Sequence, residues 1–166
     1  MRALIFALLL SACSWKARVK HLSNEEFDHY YALRVFMEES QQRTYLRLRT
    51  HEERDAYLQD LGLWDKFYDY PADVRELIVA GDVSTGWKKD QLYMAWGAPF
   101  DRKRLVGRQA TRSELLTYRF EQHADGSVLL WEPGSKTEYK AVRLFVREVA
   151  VDDDVIAEIT EADATW

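Results

Sequence analysis

Apolar residues in the first half of the chain recur at helical spacing. Ser23 and Glu26 have the spacing of a capping box, in which a hydroxyl and a glutamate three residues later bind free backbone amides at a helix start. We expect that helix to run through Leu48, on an apolar face that starts with Phe27, Tyr30, Tyr31 and Leu33. A second box, at residues 50–53, predicts another helix toward Leu61.

Residues 61–71 are rich in aromatic side chains. Trp64, Phe67 and Tyr68 stand at positions i, i+3 and i+4, which favours one helix face packed into a core. The alternative interpretation is a stacking platform for glycans or for a partner. Pro71 suits the first turn of a further helix that ends before Gly81. Its expected buried side is Val74, Leu77 and Ile78.

The apolar pattern changes to a period of two beyond Pro99. Residues 116, 118 and 120 are apolar and alternate with the polar side chains Thr117, Arg119 and Glu121, so one side of a strand faces a core. Further strands are expected at residues 100–106, 128–131, 139–151 and 155–159, with turns at 124–127 and 152–154. The predicted class is α+β, with N-terminal helices packed on a C-terminal antiparallel β-meander.

The first thirteen residues have the layout of a bacterial lipoprotein signal peptide. Arg2 supplies a cationic head, and residues 3–10 form an apolar run that spans only about 12 Å as a helix, against a hydrocarbon core of about 30 Å. Leu10-Ser11-Ala12-Cys13 resembles a lipobox, which predicts cleavage before Cys13 and a covalent diacylglycerol and N-acyl lipid on that residue. The alternative is an ordinary buried thiol in an uncleaved segment.

The anchor prediction divides the chain into a cleaved signal peptide at residues 1–12 and a lipidated tether at 13–22. A helical extension at 23–70 and a main domain at 71–166 follow, expected to form one globular unit. Cys13 is the only cysteine, so an intramolecular disulfide is excluded. Ser14 at the second mature position predicts sorting to the outer membrane under the enterobacterial rule.

Length and charge narrow the functional classes. Cleavage leaves 166 − 12 = 154 residues, which suits one domain with a sizeable core. Only Arg2 is lost among the charged residues, so the mature charge is 22 − 28 = −6. A net-acidic chain without a basic cluster argues against binding of nucleic acid and against electrostatic docking on anionic lipid.

The sequence predicts no catalytic, metal or cofactor site. The four histidines, His21, His29, His51 and His123, lack metal-ligand spacing, and the only thiol is assigned to lipid. Residues 152–154 lack the ligand pattern of an EF-hand and are interpreted as a solvated turn. The adjacent glutamate pairs at 25–26, 38–39 and 52–53 are interpreted as caps and solvated faces, because adjacent helical side chains diverge.

One stretch resembles a known family. The motif residues are Ile78, Gly81, Val83, Gly86, Trp87, Gln91, Leu92, Trp96, Gly97 and Pro99. They resemble the SmpA/OmlA (BamE-like) family of small outer-membrane lipoproteins, over about residues 74–159. In that family a helix ends in glycine, a turn follows, and a second helix ends before an antiparallel sheet. Gly97 fits a left-handed helix stop, and Pro99 blocks continuation of the helix.

Two features differ from that family. Lys88 stands where a Ser, Thr or Asp helix cap is usual, so the cap must come from another residue. Residues 23–70 extend beyond the short family members. The resemblance implies assistance in assembling outer-membrane β-barrels, and no partner-binding residue is carried over from the family. Gly81, Gly86, Trp87, Trp96, Gly97 and Pro99 are expected to be structural.

The expected function is that of a non-enzymatic lipoprotein that faces the periplasm from the outer membrane. It would act as a protein-interaction or assembly subunit with an envelope protein partner, without nucleic acid, metal or cofactor. Two alternatives remain: a periplasmic inhibitor or ligand-binding module that uses the sheet face, and an undetected cell-wall enzyme. The extension at residues 23–70 is expected to select the partner.

Overall fold

The computed structural model describes residues 18–131 and 140–166. The predicted leader and the first half of the tether, with Cys13, lie outside these residues, as does the predicted start of a strand at residue 139. The chain divides into two compact units, Met1–Glu76 and Leu77–Trp166. Among the described residues, no helix is both long and apolar enough to cross a membrane. The predicted α+β class is confirmed, with helices in the N-terminal part and an antiparallel sheet in the C-terminal part.

The described part of the N-terminal unit is helical. Its helices are α1 (Asn24–Leu33), a 3₁₀ turn (Arg34–Phe36), α2 (Glu39–Tyr45), α3 (His51–Asp60) and α4 (Trp64–Tyr68). Both predicted capping boxes are confirmed at the starts of α1 and α3. The Ser23 hydroxyl accepts from the Glu26 amide at 3.3 Å, and the Glu26 carboxylate accepts from the Ser23 amide at 2.7 Å. These reciprocal bonds satisfy two free amides at the helix start.

The prediction of one helix from residue 23 through Leu48 is wrong. The helical backbone is interrupted at Met37, which is extended with φ −102° and ψ 140°. The side-chain amide of Gln42 donates to the carbonyls of Arg34 at 2.9 Å and Met37 at 3.2 Å. The Arg34 carbonyl also accepts from the Met37 amide at 3.1 Å, so the Gln42 side chain adds a second bond there and connects the end of the 3₁₀ turn to α2.

The core of the N-terminal unit is aromatic and aliphatic. Its large buried side chains include Tyr30, Leu33, Tyr45, Leu58 and Phe67. The rings of Tyr30 and Tyr45 stack at 5.6 Å between centroids, and those of Trp64 and Tyr68 stack at 4.2 Å. The predicted helix at residues 64–68 is therefore confirmed, with Phe67 buried and with Trp64 and Tyr68 half-buried.

Helix α5 (Ala72–Ala80) contains the boundary between the two units. It begins after Pro71 and ends before Gly81, as predicted. Ile78 is buried and Val74 is half-buried, but Leu77 is 42% exposed, so its assignment to the buried side is wrong. Ile78 is the only fully buried residue of this helix, which therefore buries a narrower face than the apolar pattern predicts.

The C-terminal unit combines helix α6 (Lys89–Trp96) with a five-stranded antiparallel sheet. The strands are β1 (Asp101–Arg104), β2 (Ser113–His123), β3 (Val128–Leu130), β4 (Ala141–Asp152) and β5 (Val155–Asp163). Strands β1 and β3 pair with successive parts of β2, and β4 joins β2 to the edge strand β5. The first strand is thus shorter than the predicted residues 100–106, and Val106 is 85% exposed.

The sheet core lies on one face of β2 and β4. The predicted buried residues Leu116, Tyr118 and Phe120 are confirmed, at 0%, 1% and 4% exposure. Phe120 stands opposite Phe145 of β4, and their rings stack at 5.3 Å. Glu121 was assigned to the polar side of the strand, but it is fully buried. The two-residue alternation therefore predicts on which side of the sheet a side chain lies. It does not predict whether other residues bury that side.

The turn at residues 152–154 is more than a solvated connection. Asp153 and Asp154 adopt positive φ values of 45° and 65°, as a tight hairpin requires. The Asp153 carboxylate accepts from the amides of Thr111 at 3.2 Å and Arg112 at 2.9 Å. The turn thereby holds the segment that leads into β2, and the predicted solvated turn is confirmed, because Asp153 and Asp154 are both exposed.

Candidate functional site

The structure brings three of the motif residues together. The Trp96 indole donates to the Gly81 carbonyl at 2.9 Å, which links the end of α6 to the end of α5. The Trp96 ring packs edge-on against Tyr118 and Phe120 at 5.2 and 5.1 Å between centroids. The Tyr118 hydroxyl donates to the Gly97 carbonyl at 3.2 Å. These contacts favour the predicted structural role.

Gly97 ends α6 with a backbone that favours glycine. Its φ is 73° and its ψ is −157°, so the predicted positive φ is present but the αL value of ψ is not. An L side chain rarely adopts this region, which explains the glycine. Pro99 follows two residues later and lacks the amide that a further helical turn would need.

Gly86 and Trp87 lie beside the edge strand. The Gly86 amide donates to the Ile156 carbonyl at 2.8 Å, and the Ile156 amide donates to the Trp87 carbonyl at 2.8 Å. Lys88 bridges Val155 in the same antiparallel sense. The missing cap at Lys88 is supplied by Gln91, whose side-chain oxygen accepts from the Lys88 amide at 2.8 Å. Residues 86–88 thus act as a short added strand along the first part of β5.

The rest of the outer edge of β5 carries no backbone partner among the described residues. The Ala164 amide bonds inward to the Leu144 carbonyl, so strand alternation directs the amides of Ile159, Glu161 and Asp163 outward. We call residues 157–163 the open edge. Such a row of unpaired amides and carbonyls is a template for another strand.

A groove of about 400 Å³ lies along the open edge. Its lining residues are Gly81, Asp82, Val83, Ser84, Thr85, Trp96, Arg147, Ile159, Thr160 and Glu161, all in the C-terminal unit. The side chains are mostly hydroxyls and charges around the Trp96 indole. A groove of this size and composition suits side chains of a bound chain or a small polar ligand.

Arg147 forms part of the groove wall and is held in place by neighbouring aromatic rings and by Glu161. Its guanidinium lies about 5 Å from the ring centroids of Trp96, Phe120 and Phe145. Its Nε donates to the Glu161 carboxylate at 2.9 Å. Hydrogen bonding from Arg147, with Arg143 nearby, holds the pKa of Glu161 below its ordinary value. A guanidinium held in this way fixes the wall of the groove.

A polar cluster that the sequence analysis missed lies in the N-terminal unit. His29 is 1% exposed, and its Nε2 is 2.6 Å from the Tyr68 hydroxyl. Its Nδ1 is 3.8 Å from Asp55 Oδ1, and Asp55 Oδ2 is 3.1 Å from His51 Nε2. Burial lowers the pKa of His29, although the Asp55 charge opposes this effect. The two histidines are 22 positions apart, so no local spacing reveals them.

Glu26 and Arg54 extend this cluster toward the helix start. They form a buried ion pair, and Arg54 also donates to the Leu48 carbonyl at 2.6 Å. Burial opposes ionisation of Glu26, but hydrogen bonds from Ser23 and from Arg54 hold its pKa below the ordinary value. The interpretation of Glu26 as a cap is confirmed, whereas its placement on a solvated face is wrong.

Neither region has the geometry of a metal centre. No group of three or more His, Cys, Asp or Glu side chains within residues 18–131 and 140–166 is arranged to hold a metal ion. The predicted lipidation residue, Cys13, lies outside this part of the chain. Comparison with protein-family models, with curated proteins and with solved structures finds no match to this chain.

Proposed function

We propose that this chain is a lipid-anchored protein of the bacterial envelope that faces the periplasm and acts as a protein-interaction or assembly subunit. The interaction role rests on one observation, the open edge of β5 beside its groove. Unpaired strand edges bind other chains through backbone hydrogen bonds, and adjacent pockets select side chains. No step of this proposal requires catalysis, a metal or a cofactor.

The membrane attachment rests on the sequence of residues 1–13. An apolar run too short to span a bilayer, followed by Leu10-Ser11-Ala12-Cys13, supports cleavage and lipid attachment at Cys13. Ser14 supports an outer-membrane location. The resemblance of residues 78–99 to the SmpA/OmlA family supports an assembly role at that membrane.

The anchor is tested by labelling cells with radioactive palmitate. The wild-type protein should incorporate label and migrate as a processed form, whereas Cys13→Ala should remain unlabelled and uncleaved, because the thioether has no other acceptor. Label in the Cys13→Ala variant would contradict the anchor assignment. Density fractionation of the two membranes then tests the outer-membrane location.

The interaction role is tested by photo-crosslinking in intact cells. A photoreactive residue placed at Thr160, in the groove wall, should yield a discrete crosslinked envelope protein. The same residue placed at exposed Glu52 on α3 reports whether the helical extension selects the partner, as the sequence analysis predicts. The absence of a crosslink from both positions would contradict a protein-interaction role.

The groove also favours a second candidate function, a ligand-binding or inhibitor module. Its volume of about 400 Å³ lies within the usual range for small-molecule sites. A small polar ligand that raises the melting temperature of the wild-type protein, but not of an Asp82→Asn variant, would favour this second candidate.

A further inference from the structure

The chemistry of the open edge indicates what kind of segment it accepts. Asp82 and Glu161 line the groove, Asp163 shares the sheet face of Glu161, and Glu158 lies on the opposite face. Arg143 and Arg147 are both paired with Glu161, and Arg143 also bonds Asp163. Three carboxylates against two arginines, 3 − 2, leave one negative charge beside the groove, and Asp82 forms no ion pair with any described residue. Glu158 adds an exposed carboxylate on the other face and interacts electrostatically with Arg108.

We infer that the open edge binds an extended, lysine- or arginine-rich segment of a partner protein as an additional strand. This inference rests on the proposed function and specifies its partner. Backbone hydrogen bonds from Ile159, Glu161 and Asp163 supply sequence-independent affinity. A basic side chain on the groove face of the added strand neutralises Asp82, and one on the opposite face lies beside Glu158, because opposite charges on neighbouring strands stabilise a sheet.

The same charges disfavour a second copy of this chain at the edge. Pairing two β5 strands brings the carboxylates of Glu158, Glu161 and Asp163 from each copy close to those of the other. Like charges on adjacent strands are destabilising, and charged edge strands are a common protection against self-pairing. Pairing with a second copy is therefore expected to be weaker than pairing with a strand of opposite charge.

The groove also favours particular side chains on the added strand. Alternate residues of an added strand point to the face that carries Ile159 and Glu161, and that face borders the groove. Val83 and Ile159 offer apolar contact to the alkyl part of a lysine or arginine, while Asp82 and the hydroxyl of Ser84 suit its charged end. Long basic side chains use both kinds of surface.

Direct binding of peptides tests the inference with the full lipidated protein in a neutral detergent. The probe is a fluorescent ten-residue peptide in which pairs of lysines alternate with pairs of valines, so that lysine lies on both faces of the added strand, and binding is followed by fluorescence anisotropy. We expect binding that weakens with added salt, since exposed charge pairs are screened. A peptide with glutamate in place of each lysine should not bind, and one with proline in place of each valine should also fail, because proline lacks the amide of a strand.

Variants of the edge provide the matched test. The double substitution Asp82→Asn and Glu158→Gln should weaken binding of the lysine peptide about five-fold, as expected for two exposed charge interactions. The control substitutions Asp73→Asn and Glu76→Gln remove two exposed carboxylates of α5, outside the extension and the groove, and should leave binding unchanged. Equal binding of the glutamate and lysine peptides, or equal loss in both double variants, would overturn the inference.

The crosslinking and peptide experiments together distinguish a failure of the basic-strand inference from a failure of the proposed function. A crosslinked partner at Thr160 together with no binding of the lysine peptide would overturn the basic-strand inference and leave the interaction role supported. Crosslinking of Thr160 to a second copy of this chain would also overturn the inference. A crosslinked partner whose contacting segment is basic and extended is the expected result.

Discussion

At the scale of single residues, Trp96 has the largest expected effect on stability. Its ring is buried against Tyr118 and Phe120, and its indole nitrogen binds the Gly81 carbonyl. We expect Trp96→Ala to lower the free energy of unfolding by about 3 to 5 kcal/mol, from lost burial and a cavity. Trp96→Phe keeps most of the packing and should cost about 1 kcal/mol or more for the unsatisfied carbonyl.

Urea unfolding of the three proteins measures these differences. The predicted order of stability is wild type, Trp96→Phe and then Trp96→Ala. Unchanged unfolding midpoints combined with loss of the crosslinked partner would instead assign Trp96 to partner contact through the groove.

His29 makes stability depend on pH. Burial lowers its pKa in the folded protein from an ordinary value of 6.5. As the pH falls below 6.5, the unfolded chain takes up a proton at this histidine while the folded chain does not. The unfolded state is then favoured, so the free energy of unfolding should decrease until the pH reaches the lower pKa of the folded state.

The substitution His29→Gln removes this titration and keeps a side chain that can bond Tyr68. The variant should be less stable than wild type at pH 8 but should lose less stability between pH 7 and pH 5. His21→Gln is the control, because His21 is exposed and outside the cluster, and it should retain the wild-type decrease. Parallel pH profiles for wild type and His29→Gln would show that another group causes the acid sensitivity.

At the scale of secondary-structure elements, the two capping boxes form a natural comparison. Glu26 and Glu53 hold equivalent third positions of α1 and α3. Glu53 is exposed, whereas Glu26 is buried against Arg54. We expect Glu26→Gln to cost about 3 kcal/mol, because the Arg54 charge is then buried without its carboxylate. Glu53→Gln retains a capping oxygen and should cost less than about 0.5 kcal/mol.

Thermal and urea unfolding of both variants check this comparison. The difference between them isolates the buried pair, since both substitutions change the same type of cap. If the two variants lose equal stability, the Glu26–Arg54 pair contributes nothing beyond the cap.

Local patterns predicted those elements whose stabilising contacts are local. The boxes at Ser23 and Thr50 bind amides only three residues away, and Leu116, Tyr118 and Phe120 follow the two-residue period of a half-buried strand. The break at Met37 was missed because the N-cap of α2 is Glu38, which is not one of the usual capping residues. The local sign is Gln41, three residues later, whose side-chain oxygen accepts from the Glu38 amide at 2.8 Å.

Features of the candidate site depend on contacts between distant residues. The strand order that leaves β5 at the edge, and the pairing of residues 86–88 with only its first part, follow from tertiary structure. The same applies to His29 and Asp55, which are adjacent in space but not in sequence. The sequence located Gly81 and Trp96 as fold residues, yet it could not show that a groove lies beside them.

At the scale of the whole molecule, we expect the protein to fold without its lipid anchor. The backbone bonds described for residues 18–22 are local, from His21 to Arg18 and from Leu22 to Val19. Within residues 18–131 and 140–166, the first buried residue is Glu26. A chain that lacks residues 1–20 should therefore fold with a free energy of unfolding within about 0.5 kcal/mol of that of the lipidated protein, as for changes outside a core.

That truncated chain should also be released from membranes, because a covalent lipid, and no other part of the chain, is proposed as the attachment. Urea unfolding in the same neutral detergent and flotation with vesicles test both halves of this prediction. The lysine–valine peptide should bind the truncated chain as it binds the lipidated one, since Asp82 and the open edge are retained. A truncated chain that unfolds at much lower urea would place part of residues 1–20 in the core, and one that still floats with vesicles would require a second membrane contact.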